Sequence, residues 1–275
     1  MSAAAATGLT VDAALALARR LGVERGDAQA LLAHLLGRDR AWLVTHGDAP
    51  AAGAEAALRR LADGEPLAHL TGWQPFHGLT LAVTPATLVP RPDTEVLVDW
   101  ALALLAGLPG APRVVDLGTG SGAIALAVKA ACPRAEVAAV DFSAEALAVA
   151  RGNGERLGLA VEWLHGSWFA PLAGRRFDLI VSNPPYIAGD DPHLPALRHE
   201  PLTALTPGGD GLADLRALID AAPQHLSPGG WLLLEHGWDQ ADAVAQHLAA
   251  RGLTEVTLRR DLAGRPRASG GRMPA

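Results

Sequence analysis

The sequence predicts an α/β fold in which a mostly parallel sheet is covered on both faces by helices and follows a small helical segment. Two observations lead to this prediction. From residue 113 onward, short apolar runs of strand length alternate with longer stretches of helical periodicity, and such alternating units fold into parallel sheets. Before residue 65, the apolar residues recur at helical spacing.

Length and composition are typical of a globular protein. The 275 residues are 49% hydrophobic and 19% charged, which suits a large domain with a smaller partner. No apolar run is long enough to span a membrane, and the first twenty residues lack the basic start of a signal peptide. The net charge of −6 disfavours duplex DNA as a substrate. Cys132 is the sole cysteine, so neither a disulfide nor a zinc site is expected.

The chain divides into three predicted parts. Residues 1–65 carry apolar stripes at 11–18, 28–36 and 54–61 and are predicted to form a helical domain, with Asp27 as N-cap of its second helix. Glycines and prolines then interrupt residues 66–86, where extended pieces at 67–71 and 79–83 predict a β-hairpin linker. Residues 87–275 form the third part.

The third part opens with LVPRPDTE at residues 88–95, which leads into a helix. Asp93, Thr94 and Glu95 are expected to cap this helix, since such side chains accept hydrogen bonds from its free backbone N–H groups. The alternative for Glu95 is an approach to the site, with residues 90–92 packed there. Strands are predicted at 114–117, 136–140, 161–164, 179–181 and 231–235, and helices at 123–131, 144–157, 213–226 and 240–251. Segments 255–260 and 265–273 predict two further, antiparallel strands.

A glycine-rich turn joins the first of these strands to its helix and reads Gly118, Thr119, Gly120, Ser121, Gly122. Glycines allow a tight turn and let a ligand approach the backbone at a helix N-terminus. Asp141 ends the following strand, nineteen residues beyond Gly122, where an acid is suited to ribose hydroxyls. The turn is neither the GxGxxG of dinucleotide enzymes nor a GK[ST] loop, so the pattern favours a nucleoside cofactor.

A second motif, Asn183-Pro184-Pro185-Tyr186, follows the apolar strand that begins at Phe177. Prolines cannot extend a central strand, so the motif is expected at the strand's carboxyl end, where open α/β sheets bind ligands. A side-chain amide, two rigid turns and an aromatic ring suit a flat group that carries an NH2. The alternative is a strand end stopped by prolines, which so narrow a pattern disfavours.

Four motifs in this order resemble the HemK/PrmC family, the S-adenosylmethionine-dependent N5-glutamine methyltransferases of peptide chain release factors. They are LVPRPDTE at 88–95, DLGTGSG at 116–122, SNPPY at 182–186 and LLLEHG at 232–237. The similarity covers nearly the whole chain, including the helical front and RDLAGRPR at 260–267. It implies a Rossmann-like class I methyltransferase domain with a seven-stranded sheet, and an N-terminal helical domain that docks a release factor.

The resemblance also implies the roles of single residues. Residues 118–122 would hold the methionine part of S-adenosylmethionine, Asp141 its ribose, and Trp168 would border the adenine. Asn183, Pro184, Pro185 and Tyr186 would bind the substrate glutamine of the Gly-Gly-Gln motif, with Asn183 also near the methyl donor. Asn183, Pro184 and Tyr186 are the implied catalytic residues. No metal, membrane or direct nucleic-acid contact is implied, and the expected location is cytoplasmic.

Two departures from the family pattern concern the ligand contacts. Family members commonly carry an acid before the tryptophan, suited to the adenine amino group, whereas this chain has Ser167. A serine still forms hydrogen bonds, so altered adenine contacts are expected. The usual Gly-Asp-Leu-Arg-Phe-Glu-Pro stretch is shortened at residues 197–201, which leaves the contacts of that loop open.

Other substrates remain as alternatives. A sister enzyme that methylates a ribosomal-protein glutamine would share the fold and the NPPY motif, but that group typically reads Pro-Arg-Ser-Pro where this chain has PRPDTE. An adenine-N6 DNA methyltransferase uses the same clamp on a flipped base; the acidic charge and the lack of a basic target-recognition region oppose it. An inactive cofactor-binding scaffold has no evident use for an intact NPPY.

Overall fold

A computed structural model describes residues 8–275, which fall into two compact units. The first unit ends at Trp73, and the second is Gln74–Ala275. Predictions for the first seven residues lie outside the described part. The three-part division at residues 65 and 86 stays a prediction.

The first unit is helical between residues 8 and 73. Its helices are α1 (Val11–Arg20), α2 (Arg25–Leu36), α3 (Arg40–Thr45), α4 (Ala54–Ala62) and α5 (Leu67–Thr71). The three predicted stripes became α1, α2 and α4, and their apolar faces share a core around Leu31, Leu32 and Leu58. This confirms the helical character of the front.

Two local predictions for this unit are wrong. Residues 67–71, predicted to be extended, form α5, because Pro66 starts the helix, left-handed Gly72 ends it, and Leu67 and Leu70 pack on the helical core. Asp27 does not cap α2. The helix begins at Arg25, and its N-cap is Glu24. The Glu24 carboxylate accepts hydrogen bonds from the backbone N–H groups of residues 26 and 27, at 2.7 and 3.2 Å.

A β-hairpin follows, formed by β1 (Trp73–Phe76) and β2 (Leu79–Ala82). Its two turn residues, His77 and Gly78, have positive φ angles of 45° and 76°, as a type I′ hairpin turn requires. The backbone N–H of His77 donates to Glu95 Oε1 at 2.8 Å. Glu95 therefore supports the hairpin turn. The prediction that it caps a helix is wrong.

The second unit is built on a seven-stranded sheet. Its strands are β3 (Arg113–Leu117), β4 (Glu136–Asp141), β5 (Glu162–His165), β6 (Phe177–Ser182), β7 (Leu226–Glu235), β8 (Thr254–Arg260) and β9 (Pro266–Arg272). They lie in the order β5-β4-β3-β6-β7-β9-β8. Strands β3 to β7 run parallel, and β9 pairs antiparallel with both β7 and β8. The predicted fold class is confirmed.

Helices cover both faces of this sheet. They are α6 (Glu95–Ala106), α7 (Ala123–Ala131), α8 (Ala144–Leu157), α9 (Ala213–His225) and α10 (Ala241–Ala250). Leu126 of α7 is buried in the core on one face, and Leu218 of α9 in the core on the other. Among residues 8–275, no helix combines the length and apolarity needed to cross a membrane.

The entry into α6 differs from the prediction. A 3₁₀ turn, Pro92–Thr94, runs directly into α6, and Thr94 has helical backbone angles with no side-chain capping bond. An N-cap residue needs an extended backbone, so neither Asp93 nor Thr94 can cap the helix. Asp93 instead pairs with Arg267 at 3.1 Å, and the capping prediction is wrong.

Gly270 on β9 offers a test of the sheet's packing. A Cβ there would lie 2.6 Å from Leu233 Cδ2, 2.7 Å from the Leu232 carbonyl oxygen and 2.8 Å from the Trp100 ring. Because the carbonyl belongs to a buried central strand, Gly270→Ala is expected to lower the free energy of unfolding by about 1–3 kcal/mol in urea titration. Gly152→Ala, in α8 with open space around it, is the control. Equal stability of the two variants would contradict the packing.

Candidate active site

A cavity of about 600 Å³ lies at the edge of the sheet where the carboxyl ends of β3, β4 and β6 meet. Open α/β sheets bind ligands at this position, beside the strand at which the chain order reverses. Its lining includes Thr94, Gly118, Asp141, Trp168, Asn183 and Asp214. Four of these were predicted site residues, whereas Thr94 was predicted to cap and Asp214 was missed.

The glycine-rich turn forms one wall. Gly118 and Gly120 have φ angles of 73° and 56°, in the left-handed region that glycine tolerates best. A Cβ on Gly118 would stand 3.1 Å from the Trp168 ring, so the indole packs directly on the turn. Thr119 and Ser121 also line the cavity. Gly122 allows close packing, since a Cβ there would lie 3.1 Å from the Trp163 ring.

Asp116 supports the turn from beneath. Its side chain is buried, and its Oδ2 accepts hydrogen bonds from the Thr119 hydroxyl at 2.6 Å and the Ala125 backbone N–H at 3.2 Å. Burial raises the pKa of this carboxyl to about 7, although both hydrogen bonds oppose the rise. The turn is thereby tied to β3 and to the first turns of α7.

Asp141 links the turn to the start of α8. Its Oδ2 accepts a hydrogen bond from the Gly120 backbone N–H at 2.8 Å, and its Oδ1 accepts one from Ser143 at 2.9 Å. Burial raises the pKa of Asp141, and these bonds counteract the effect. Ser143 itself caps α8 through the Ala146 N–H at 3.1 Å, as predicted. Each Asp141 oxygen keeps a lone pair for a ligand hydroxyl.

Trp168 and Asp214 both line the cavity. Burial raises the pKa of Asp214, and the Trp168 side chain has the opposite, smaller effect. Ser167 lines the same region. The acid missing before the tryptophan thus has a counterpart from α9. The sequence held no local signal for it, since the two residues are distant along the chain.

The NPPY motif is held at the end of β6. The Ser182 hydroxyl donates to the Leu117 carbonyl oxygen at 2.6 Å, which joins β6 to β3. Asn183 and Pro185 line the cavity, and Asn183 Nδ2 lies 3.3 Å from Thr94 Oγ1. Pro184 is buried and is not part of the lining.

Tyr186 points toward a buried acid. Its hydroxyl donates to Glu235 Oε1 at 3.2 Å, and its carbonyl oxygen accepts from the Gln240 amide at 2.9 Å. The ring is outside the cavity lining, so packing of Tyr186 on a substrate amide stays a prediction. Burial and the neighbouring Glu235 raise the pKa of Tyr186.

Comparison with known proteins identifies the family. Residues 9–72 match the PrmC N-terminal domain model, and residues 97–210 match the methyltransferase small domain model. The release factor glutamine methyltransferase of Bordetella pertussis is 54% identical, and the alignment covers 91% of this chain and 95% of that protein. The chain belongs to the release factor glutamine methyltransferase family. It is therefore an enzyme of the methyltransferase class.

Other relatives of this family agree. The release factor glutamine methyltransferase of Xylella fastidiosa strain Temecula1 is 52% identical, over 92% of this chain and 94% of that protein. A methyltransferase structure from Pyrococcus furiosus covers 80% of this chain and 100% of its own with a TM-score of 0.55. At 20% identity, that structure supports the fold alone.

Glu235 was not predicted as a site residue, although it belongs to the family motif LLLEHG. It is buried, and burial raises its pKa to about 7 against the opposing effects of Thr94, Arg267 and Tyr186. The next residue, His236, is also buried and binds Ser269 Oγ at 2.7 Å, which gives it a structural environment.

Glu200 anchors the shortened 197–201 loop. Glu200 is buried, and its Oε2 accepts a hydrogen bond from the Val89 backbone N–H at 2.9 Å. Its other oxygen pairs with Arg91. The loop thus fastens the 88–95 segment over the cavity. Within residues 8–275, no cluster of His, Cys, Asp and Glu side chains is arranged to hold a metal ion.

The raised pKa of Glu235 predicts a pH-dependent stability. The folded protein keeps the proton up to about pH 7, whereas the unfolded chain releases it near 4.5. Stability is therefore lost as pH rises between these values, by on the order of 1–3 kcal/mol. Glu235→Gln should flatten this part of the profile in urea titrations from pH 4.5 to 8. An unchanged slope in the variant would contradict the buried, protonated carboxyl.

Proposed function

We propose that this enzyme binds S-adenosylmethionine in the cavity and methylates the side-chain nitrogen of the glutamine in the Gly-Gly-Gln motif of class I release factors. The observation that carries the proposal is the position of the Asn183 amide in the same cavity as the glycine-rich turn and Asp141. Family membership supports the choice of substrate, and the net charge of −6 disfavours DNA.

The residues present fit the cofactor. The cavity volume of about 600 Å³ is ordinary for a small-molecule site. In the turn at residues 118–122, nothing lies within 4 Å of a Cβ built on Gly120, so the backbone there is open to the methionine part. The Asp141 carboxylate suits the ribose hydroxyls, and the Trp168 ring offers a flat apolar face to the adenine. When bound, S-adenosylmethionine supplies an electrophilic methyl group.

The protein's contribution to the chemistry is positioning. An amide nitrogen is a poor nucleophile because its lone pair is shared with the carbonyl group. Asn183 Oδ1 and the Pro184 carbonyl oxygen would accept the two N–H hydrogens of the substrate, which orients the lone pair and favours charge developing on nitrogen. Such positioning is worth up to roughly 7–11 kcal/mol. Once alkylated, the nitrogen is acidic and releases its proton without a dedicated base.

The helical first unit is the proposed docking module for the release factor. The match to the PrmC N-terminal domain over residues 9–72 supports this assignment. It would dock on a release-factor surface distant from the Gly-Gly-Gln loop and so present that loop for methylation. A role in translation termination also accounts for the expected cytoplasmic location.

Loss of the Asn183 acceptor tests the catalytic assignment. Asn183→Ala is expected to lower the methylation rate by roughly 10²–10³-fold, as removal of a charge-stabilising contact does. The measurement is mass spectrometry of tryptic peptides after incubation of purified class I release factor with enzyme and S-adenosylmethionine. Thermal unfolding of both enzymes is the control. If wild type modifies ribosomal protein or DNA instead, the release-factor substrate is wrong.

Asp141 tests the cofactor assignment separately. Asp141→Asn removes a charged acceptor, so the affinity for S-adenosylmethionine in calorimetry should fall on the order of 10- to 100-fold. Asp178→Asn is the matched control, because Asp178 also accepts a backbone hydrogen bond, from Arg113 at 2.8 Å, at the opposite end of the strands. Equal affinities of the two variants would refute the ribose contact.

A further inference from the structure

The PRPDTE part of the 88–95 segment contributes two polar residues to the cavity lining, Arg91 and Thr94. Arg91 is paired with Glu200, and the other two polar side chains are held by Arg267 (Asp93) and by the backbone of His77 (Glu95). Thr94 is 5% exposed and lines the cavity, with its hydroxyl oxygen 3.3 Å from Asn183 Nδ2. The function proposed above gives this threonine no role.

A buried acid determines the direction of the contact between Thr94 and Asn183. Glu235 Oε1 accepts the Tyr186 hydroxyl, whereas Oε2 is buried without a hydrogen bond of ordinary geometry among the described residues. Asn183 Nδ2 donates to Thr94 Oγ1 at 3.3 Å, so the Thr94 oxygen is the acceptor in this contact. A hydroxyl has a single proton, and here it is left for the Glu235 side. The lowering effect of Thr94 on the pKa of Glu235 agrees with this direction.

We propose that Thr94 is a positioning residue that, backed by Glu235, fixes the orientation of the Asn183 side-chain amide. The Asn183 NH2 faces Thr94, and Oδ1 is left to accept a hydrogen bond from the substrate's NH2. The opposite orientation would set two NH2 groups against each other and remove the acceptor. This inference rests on the proposed function, because it concerns the atom that meets the glutamine.

The arrangement predicts a specific dependence on pH. The charged and titratable groups around Glu235 are Tyr186, Arg267 and Asp93, with His236 next to it in the chain. When Glu235 is protonated, its carboxyl becomes a donor and no longer holds the Thr94 proton. The hydroxyl is then free to donate to Asn183, which allows the unproductive orientation. Activity therefore falls as pH decreases through about 7.

Two substitutions at Thr94 separate the hydroxyl from the volume of the side chain. Thr94→Val should lower kcat for release-factor methylation by roughly 10-fold or more, while Thr94→Ser, which keeps the hydroxyl, should stay near wild type. The calorimetric affinity for S-adenosylmethionine should not change in either variant. Thr254→Val is the control, since that hydroxyl binds the Arg272 carbonyl oxygen at the sheet's edge.

Glu235→Gln supplies the second readout, because it removes the titrating group while keeping the shape of the side chain. The fall in kcat below pH 7 should disappear in this variant and remain in Thr254→Val. Wild-type activity in Thr94→Val, equal losses in the valine and serine variants, or an unchanged acidic limb in Glu235→Gln would each overturn the proposal. If Thr94→Val does not fold, the Glu235→Gln profile decides. Inactive wild-type enzyme would instead refute the proposed function.

Discussion

The parallel register of three central strands is the constraint on which the rest of the site depends. Leu117 on β3 pairs with Val140 on β4 and with Ser182 on β6, so the three strands end at nearly the same level. The residues that follow are the glycine-rich turn, Asp141 and Asn183, and all three therefore reach a single cavity. A register shift of one residue would turn each of these side chains to the other face of the sheet.

The site also depends on acids that are buried behind it. Asp116 and Glu235 are both about 1% exposed, and burial raises the pKa of each to about 7. A buried carboxyl without a full set of partners is destabilising, so its presence twice around one cavity is best explained by function. Asp116 holds the glycine-rich turn through Thr119, while Glu235 lies behind Tyr186, whose hydroxyl it accepts.

Local patterns in the sequence were sufficient for much of the fold and for part of the site. The apolar runs of β3 to β7 and the cap at Ser143 depend on neighbouring residues, so they were predictable. Tertiary packing decided the rest. Residues 67–71 became helical because Leu67 and Leu70 pack on the helical core. Asp214 and Trp168 are distant in the sequence and come together in the cavity wall only in the folded protein, so no local pattern predicts their contact.

The 88–95 segment precedes the sheet in the chain, yet it lines the same cavity as the glycine-rich turn. Glu200 holds its start through the Val89 N–H, and Arg267 holds Asp93 near its end. Each anchor comes from an element more than a hundred residues away. With the backbone held at both points, the hydroxyl of Thr94 is kept next to the Asn183 amide. Rigid support on both sides is what allows a hydrogen bond of 3.3 Å to set the orientation of an amide.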